Sequence, residues 1–181
     1  MLYYGMDVEK HLKERGLNPH HYTVSWDDET AAFALWNLSG QWVGYQQYRP
    51  FAPKTVGNDP KLGRYYTYAK NRLAVWGLET FHWRDDVLFV TEGVFDACKL
   101  HNLGFPAVAV LCNNPLVLKP WLSCLPRVTV VVCDDDAAGH KLGKLGQLSL
   151  TCPNGLDLGD MTQTQVFDFL KESVPQFLVD K

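Results

Sequence analysis

Three consecutive carboxylates, Asp134-Asp-Asp136, stand directly behind the run Val128-Thr-Val-Val-Val-Cys133 and ahead of Ala137-Ala-Gly139. An unbroken apolar run suits a strand buried on both faces of a parallel sheet, and ligands of such sheets sit beyond the carboxyl ends of the strands. In extended chain Asp134 and Asp136 can point the same way, with Asp135 directed away from them. Two carboxylates aimed into one crevice repel each other unless a proton or a cation is shared between them. Hard oxygen donors of this kind suit Mg²⁺ or Mn²⁺. Glu92 occupies the same kind of place, at the first polar position after Val87-Leu-Phe-Val-Thr91, and Asp96 lies one helical turn further on. If the two strands are neighbours, Glu92, Asp96, Asp134 and Asp136 meet at one edge, with Asp157 and Asp160 of a downstream loop available to it. Lys99, Lys141 and Lys144 are the nearby bases. The competing reading is that these acids cap the helices that follow them, where the macrodipole favours anions. One or two capping acids are expected within a cluster whose total charge is better matched by metal.

Elements that could position these residues follow from the pattern. After Trp83-Arg-Asp-Asp86 the chain alternates strand and helix: strands over 87–91, 107–111, 128–133 and 148–152, and helices over 94–103, 116–124 and 137–147. That alternation predicts a parallel sheet covered by helices on both faces. Upstream, residues 6–15 predict a short surface helix ended by Gly16. Ala31–Trp36 and Gln41–Tyr48 predict a hairpin about a polar turn, residues 51–63 a loop, and Arg64–Lys70 a further extended segment. His20-His21 fit a solvated turn. The expected division is a basic, aromatic N-terminal subdomain over 1–85 and an α/β domain over 86–181.

Charge follows the same division. Residues 40–84 hold 7 Lys/Arg against 2 Asp/Glu, whereas residues 85–181 hold 7 against 12, so a polyanion surface and a metal site are separated along the chain. In the middle region Arg49, Lys54, Lys61, Arg64, Lys70 and Arg72 interleave with Trp42, Tyr45, Tyr48, Tyr65, Tyr66 and Tyr68. Cations neutralise phosphates and aromatic faces stack on bases, although a sheet core with solvated cations has the same local pattern. With 181 residues, 46% hydrophobic and 20% charged, the chain fits one domain with a sizeable subdomain and excludes disordered and fibrous classes. No apolar run approaches membrane-spanning length and no leader opens the chain, so a cytoplasmic protein with no membrane partner is expected. Cys98, Cys112, Cys124, Cys133 and Cys152 contain no Cys-x-x-Cys pair and fit small buried hydrophobes.

Glu92-Gly-Val-Phe-Asp96, one βα unit, Asp134-Asp-Asp-Ala-Ala-Gly139 and then Pro153-Asn-Gly-Leu-Asp157 together resemble a Toprim domain, most closely that of DnaG-type primases. Gly40–Arg49 and Gly63-Arg-Tyr-Tyr-Thr67 resemble, more loosely, the basic subdomain preceding it. The resemblance covers about residues 31–165. It implies a Toprim fold, a Rossmann-like parallel sheet flanked by helices, preceded by a small mainly β basic subdomain. It implies Glu92 as general acid/base or metal ligand, Asp134 and Asp136 as metal ligands, and Asp96 and Asp157 as supporting acids around Mg²⁺ or Mn²⁺. Arg49, Lys54, Lys61, Arg64, Tyr65, Lys70 and Arg72 would hold nucleic acid.

The expected activity is therefore a primase-like nucleotidyltransferase making short primers on single-stranded DNA from NTPs. A metal-dependent Toprim nuclease and a non-catalytic nucleic-acid-binding module of a replication or transcription complex are the alternatives. Three departures stand out. No zinc ribbon precedes the core, which implies a replication or transcription partner for template recognition. Gly139-His-Lys-Leu-Gly-Lys144 does not follow phosphate-loop spacing, so no helicase is expected. Gly159 stands where the family usually has an acid, with Asp160 adjacent. A minimal chain of this kind resembles a phage or mobile-element protein acting in the host cytoplasm. Haloacid-type phosphatases and receiver domains, which also carry acids at strand ends, do not account for Glu92-Gly and Asp134-x-Asp together. Asp135 is the acid expected to be dispensable.

Overall fold

The computed structural model describes residues 7–54, 57, 59–70, 73–82, 85–111 and 114–178. Two compact units divide the chain, Met1–Trp76 and Gly77–Lys181, so residues 77–82 group with the second unit.

In the first unit a short helix α1 (Val8–Glu14) starts at Asp7, whose carboxylate accepts from the Lys10 N–H at 3.1 Å. As expected of a surface helix, α1 leaves Lys10, Lys13 and Glu14 exposed, and it anchors itself by burying Val8 and Leu12, along with Leu17 beyond its end. Two apolar residues four apart make a stripe narrow enough to be missed in a mostly charged segment. Four strands follow, β1 (Val24–Trp26), β2 (Ala31–Trp36), β3 (Trp42–Tyr48) and β4 (Tyr65–Ala69), forming an antiparallel sheet in that order. The β2–β3 turn is set by Asn37, whose side-chain oxygen accepts from the Ser39 and Gln41 N–H groups, and by Gly40 at φ +71°. One face of the sheet carries the core. Phe33 lies between Tyr48 and Trp76, with ring centroids 6.3 and 6.2 Å away. His20 and His21 are exposed, as a solvated turn requires.

The second unit alternates strand and helix: β5 (Val87–Thr91), α2 (Val94–His101), β6 (Ala107–Ala109), α3 (Lys119–Ser123), β7 (Val128–Cys133), α4 (Ala137–Gly143), β8 (Leu148–Thr151) and α5 (Gln163–Ser173). The strands make a parallel sheet in the order β6-β5-β7-β8. Every residue of β5 is buried, as are Thr129–Cys133 of β7. Their continuous apolar runs are what a two-sided environment demands.

Several helices are shorter than their sequence periods suggest. The segment 116–124 is a 3₁₀ turn over Pro115–Leu118 followed by α3, because Pro115 and Pro120 can only stand at helix starts. Helix α4 stops at Gly143, short of Gln147. The chain then folds back so tightly at Gly146 that a Cβ there would meet the Leu148 carbonyl at 2.6 Å. Cys98, Cys133 and Cys152 are buried and Cys124 is exposed, with no disulfide among these four; Cys112 lies outside the described residues. Among the described residues no helix is long and apolar enough to cross a membrane.

Candidate functional site

Strands β5 and β7 are direct parallel neighbours, with Val90 beside Val131, so Glu92 and Asp134 leave the same edge of the sheet. On the other side of β7, Cys133 pairs with Thr151, and the loop after β8 brings Asp157 and Asp160 to that edge as well. The mutual influence of these acids is visible in their proton affinities. Burial first, and then the charges of Asp157, Glu92, Asp136 and Asp160, raise the Asp134 carboxyl to about 6. Partial burial and then Asp136 raise the Glu92 carboxyl from its ordinary value. Asp96 rises to about 7 through burial and then the charge of Asp157, against the opposing pull of two backbone N–H donors. Cys152 lies in the same negative field. Burial, followed by Asp134 and Asp96, raises its thiol to about 12, so it is a protonated, inert neighbour.

Individual acids also hold the local structure. Asp136 caps α4, accepting from the Gly139 N–H at 2.7 Å. Gly139 itself is required by close approach, because a Cβ there would stand 2.1 Å from the Asp134 carbonyl oxygen. The small residues behind the acidic triplet thus let the first turn of α4 lie against the Asp134 main chain. Asp135 is exposed and faces His140 at 3.4 Å. Its charge does not figure among those that raise Glu92 or Asp134. Asp96 accepts from the Gly93 N–H at 3.0 Å and, with its other oxygen, from the Gly159 N–H at 2.9 Å. It thereby clamps the turn after Glu92 to the loop after β8. Asp157 accepts from the Asp160 N–H at 2.7 Å. Lys99 donates to the Met161 carbonyl at 2.6 Å, a backbone partner rather than one of the acids.

The donor set is all carboxylate, which suits a hard divalent cation, and its raised proton affinities mark negative charge that a cation would neutralise. Among the described residues the acids converge without closing into a cage, since no three His, Cys, Asp or Glu side chains are grouped as metal ligands.

The basic residues lie in the first unit and fall into two groups. Arg49 and Arg64 brace the loop between β3 and β4: the Arg49 guanidinium donates to the Lys61 carbonyl, and Arg64 Nε donates to the Ala52 carbonyl at 3.0 Å. Lys61 Nζ lies 5.9 Å from the Tyr66 ring, and Lys54 is exposed in the same loop. Tyr65, 42% exposed, stacks on the buried Tyr48 at 5.1 Å. Lys70 stands just past β4, five residues from Tyr65 and so on the opposite face of the strand direction. Arg72 lies outside the described residues.

Solved structures similar to this chain include a DnaG catalytic core, at 16% identity and TM-score 0.60, over 97% of this chain and 79% of that one. The fold is that of a DnaG-type primase catalytic core. The E. coli primase catalytic core matches at 19% identity and TM-score 0.54, over 93% of this chain and 68% of that one. A DnaG primase catalytic domain bound to single-stranded DNA matches at 19% identity and TM-score 0.54, and the chain spans 63% of its length. No protein-family model and no curated protein matches the chain.

Within this primase-core fold, sequence reasoning passed over Gly139 as a contact residue and Gly159 as a hydrogen-bond donor. The signal for Gly139 was its place two residues past the β7–α4 corner, where small side chains permit close backbone approach. Gly159 carried no local signal. Its partner is 63 residues away in sequence.

Proposed function

We propose that this chain is a primase-like nucleotidyltransferase of Toprim type, joining NTPs into short primers on a single-stranded DNA template. The carrying observation is the convergence of Glu92, Asp134, Asp136 and Asp157 at the carboxyl edge of β5, β7 and β8, in a fold otherwise seen in primase cores. Binding of single-stranded DNA by one such core supports the choice of template.

Asp134 and Asp136, with Glu92, are the residues that would hold Mg²⁺ or Mn²⁺. When bound, the cation supplies neutralisation of the leaving pyrophosphate and acidification of the attacking 3′-hydroxyl. Glu92, whose affinity for protons is raised, takes the hydroxyl proton at a carboxylate oxygen. The new bond joins the 3′-oxygen to the α-phosphorus, and the bond from that phosphorus to pyrophosphate breaks. Asp136, anchored by its bond to Gly139, keeps the β7–α4 corner rigid so that Asp134 does not swing away. Arg49, Lys54, Lys61, Arg64 and Tyr65 hold the template strand.

The test is primer synthesis on single-stranded DNA with labelled NTPs and Mn²⁺, beside a cleavage assay lacking NTPs. Product from the wild-type chain that disappears in both Glu92→Ala and Asp134→Ala supports the reading. Unchanged product in both variants, or metal-dependent cleavage in place of synthesis, rejects it.

A further inference from the structure

The antiparallel sheet of the first unit ends at β4, and among the described residues no backbone pairs with the far edge of that strand. The ladder shows which groups point there. Lys70 N–H donates to the Val43 carbonyl and Arg49 N–H to the Arg64 carbonyl, at the two ends of the β3–β4 pairing. Bonded pairs in an antiparallel ladder fall on every second residue, so between those ends they are Tyr45 with Tyr68 and Gln47 with Tyr66. Thr67 and Ala69 therefore turn their N–H and C=O groups outward, away from β3.

Side chains sort by the same alternation. Gly44, Gln46 and Tyr48 of β3 are buried on the core face, and opposite them stand Ala69, Thr67 and Tyr65, all exposed. The core face thus runs out to the β4 edge uncovered. On the outer face Tyr45 and Tyr68 lie with their rings 5.7 Å apart, and Lys70 follows Tyr68 on that side. Lys61 Nζ stands 5.9 Å from the Tyr66 ring. Residues 60–70 include Lys61, Arg64 and Lys70 and contain no Asp or Glu.

An edge with outward amides is a template for a further strand. A second copy of this chain is a poor occupant, because antiparallel pairing of β4 with itself sets like cations opposite one another. We propose that the β4 edge takes an added strand from a partner protein: an extended acidic segment in which Asp or Glu alternates with apolar residues. Lying antiparallel, it exchanges both main-chain bonds with Thr67. Residues directly opposite share a face. The apolar side chains therefore continue the core face beside Thr67 and Ala69, and the carboxylates fall on the outer face with Lys61 and Lys70. Nucleic acid carries no main-chain ladder to match the outward amides. The inference stands apart from the primase reading and uses none of the second unit's acids.

The probe is a fluorescein-labelled octapeptide of alternating Asp and Val, titrated with the full chain and followed by anisotropy. Nucleic acid is left out, because Lys61 is also assigned to the template strand. Saturable binding is expected, and an octapeptide of alternating Lys and Val should not reproduce it. The peptide's own backbone supplies the sharper test. The residues facing Thr67 and Ala69 would be valines, so N-methylation of the valine amides is expected to weaken binding about tenfold, whereas N-methylation of the aspartate amides should change it less than about twofold. On the protein side, Ala69→Pro removes one outward N–H at an edge position where proline is tolerated and should weaken binding, whereas Ala69→Val keeps that N–H and should not. Absence of saturable binding, equal binding of the Lys–Val peptide, or equal loss from the two methylation patterns overturns the proposal.

Discussion

The two sheets of this protein display their chemistry in opposite ways. In the parallel sheet β5 and β7 are buried almost throughout, so charged side chains appear only where the strands end. In the antiparallel sheet β3 alternates between core and solvent, so functional side chains can be spread along its length. A buried sheet concentrates charge at a point, which suits a reaction at a single phosphorus atom. A half-exposed sheet offers a strip, which suits a polymer. One consequence is energetic. At the strand ends burial and then neighbouring charge raise proton affinity: Asp157, Glu92 and Asp136 act on Asp134, and Asp136 acts on Glu92.

Substitutions can break this contrast at either end. The largest effect should come at the point site: Glu92→Gln or Asp134→Asn is expected to reduce primer synthesis by about 10²–10⁴-fold, measured at saturating template. Asp135→Asn, between two of those acids, should stay within about twofold. A large loss in Asp135→Asn would mean that proximity rather than direction matters at the edge.

Next in size is a pH effect confined to the second unit. His101, at the end of α2, has Nε2 2.9 Å from the Ala107 carbonyl and 3.1 Å from Thr80 Oγ1, and burial lowers its proton affinity to about 4. Above roughly pH 6.5 it is neutral in folded and unfolded chain alike, so its contribution is intact. As pH falls from there to about 4 the unfolded chain takes up the proton first, and about 3 kcal/mol of stability is lost. The difference between wild-type and His101→Gln in urea titrations from pH 7 to 4 measures this, because Asp96 and Asp134, whose raised proton affinities add stability as pH falls, act equally in both chains.

Smaller still is the backbone contact behind the acidic triplet. Gly139→Ala must displace either α4 or the Asp134 main chain, at a cost of about 1–3 kcal/mol in thermal unfolding. A variant with unaltered Tm would show that this corner is looser than its 2.1 Å approach indicates. The least effect on stability is expected from the strip. Trp42→Ala should change unfolding free energy by less than about 0.5 kcal/mol, because the ring is already exposed. A greater loss would mean that the tryptophan supports the sheet despite its exposure.

Much of the architecture is legible from local pattern. Val128–Cys133 is a strand over the very residues its apolar run indicates, and the hairpin around Asn37–Gly40 follows from turn chemistry and alternation. Helix lengths were less legible because prolines and tight glycine corners cut them short. The buried stripe of α1 was hidden because two apolar residues in a charged helix say little about what packs on them. In the basic region, composition marked out the segment but could not sort Tyr48 from Tyr45. Which aromatics face solvent depends on strand register, and register is set by pairing with other strands, Tyr45 opposite Ala34 on one side and Tyr68 on the other.

By itself, the amino-acid sequence determined the kinds of element, the acids at the ends of apolar strands and the separation of basic from acidic halves. These are properties of nearest neighbours and short periods along the chain. Only the tertiary structure decided that β5 lies beside β7, that Asp96 clamps Gly93 to Gly159, and that Tyr45 and Tyr68 share an outer face. Each of these joins residues distant in sequence, and no local preference specifies which of many sterically possible partners a strand end or a carboxylate will meet.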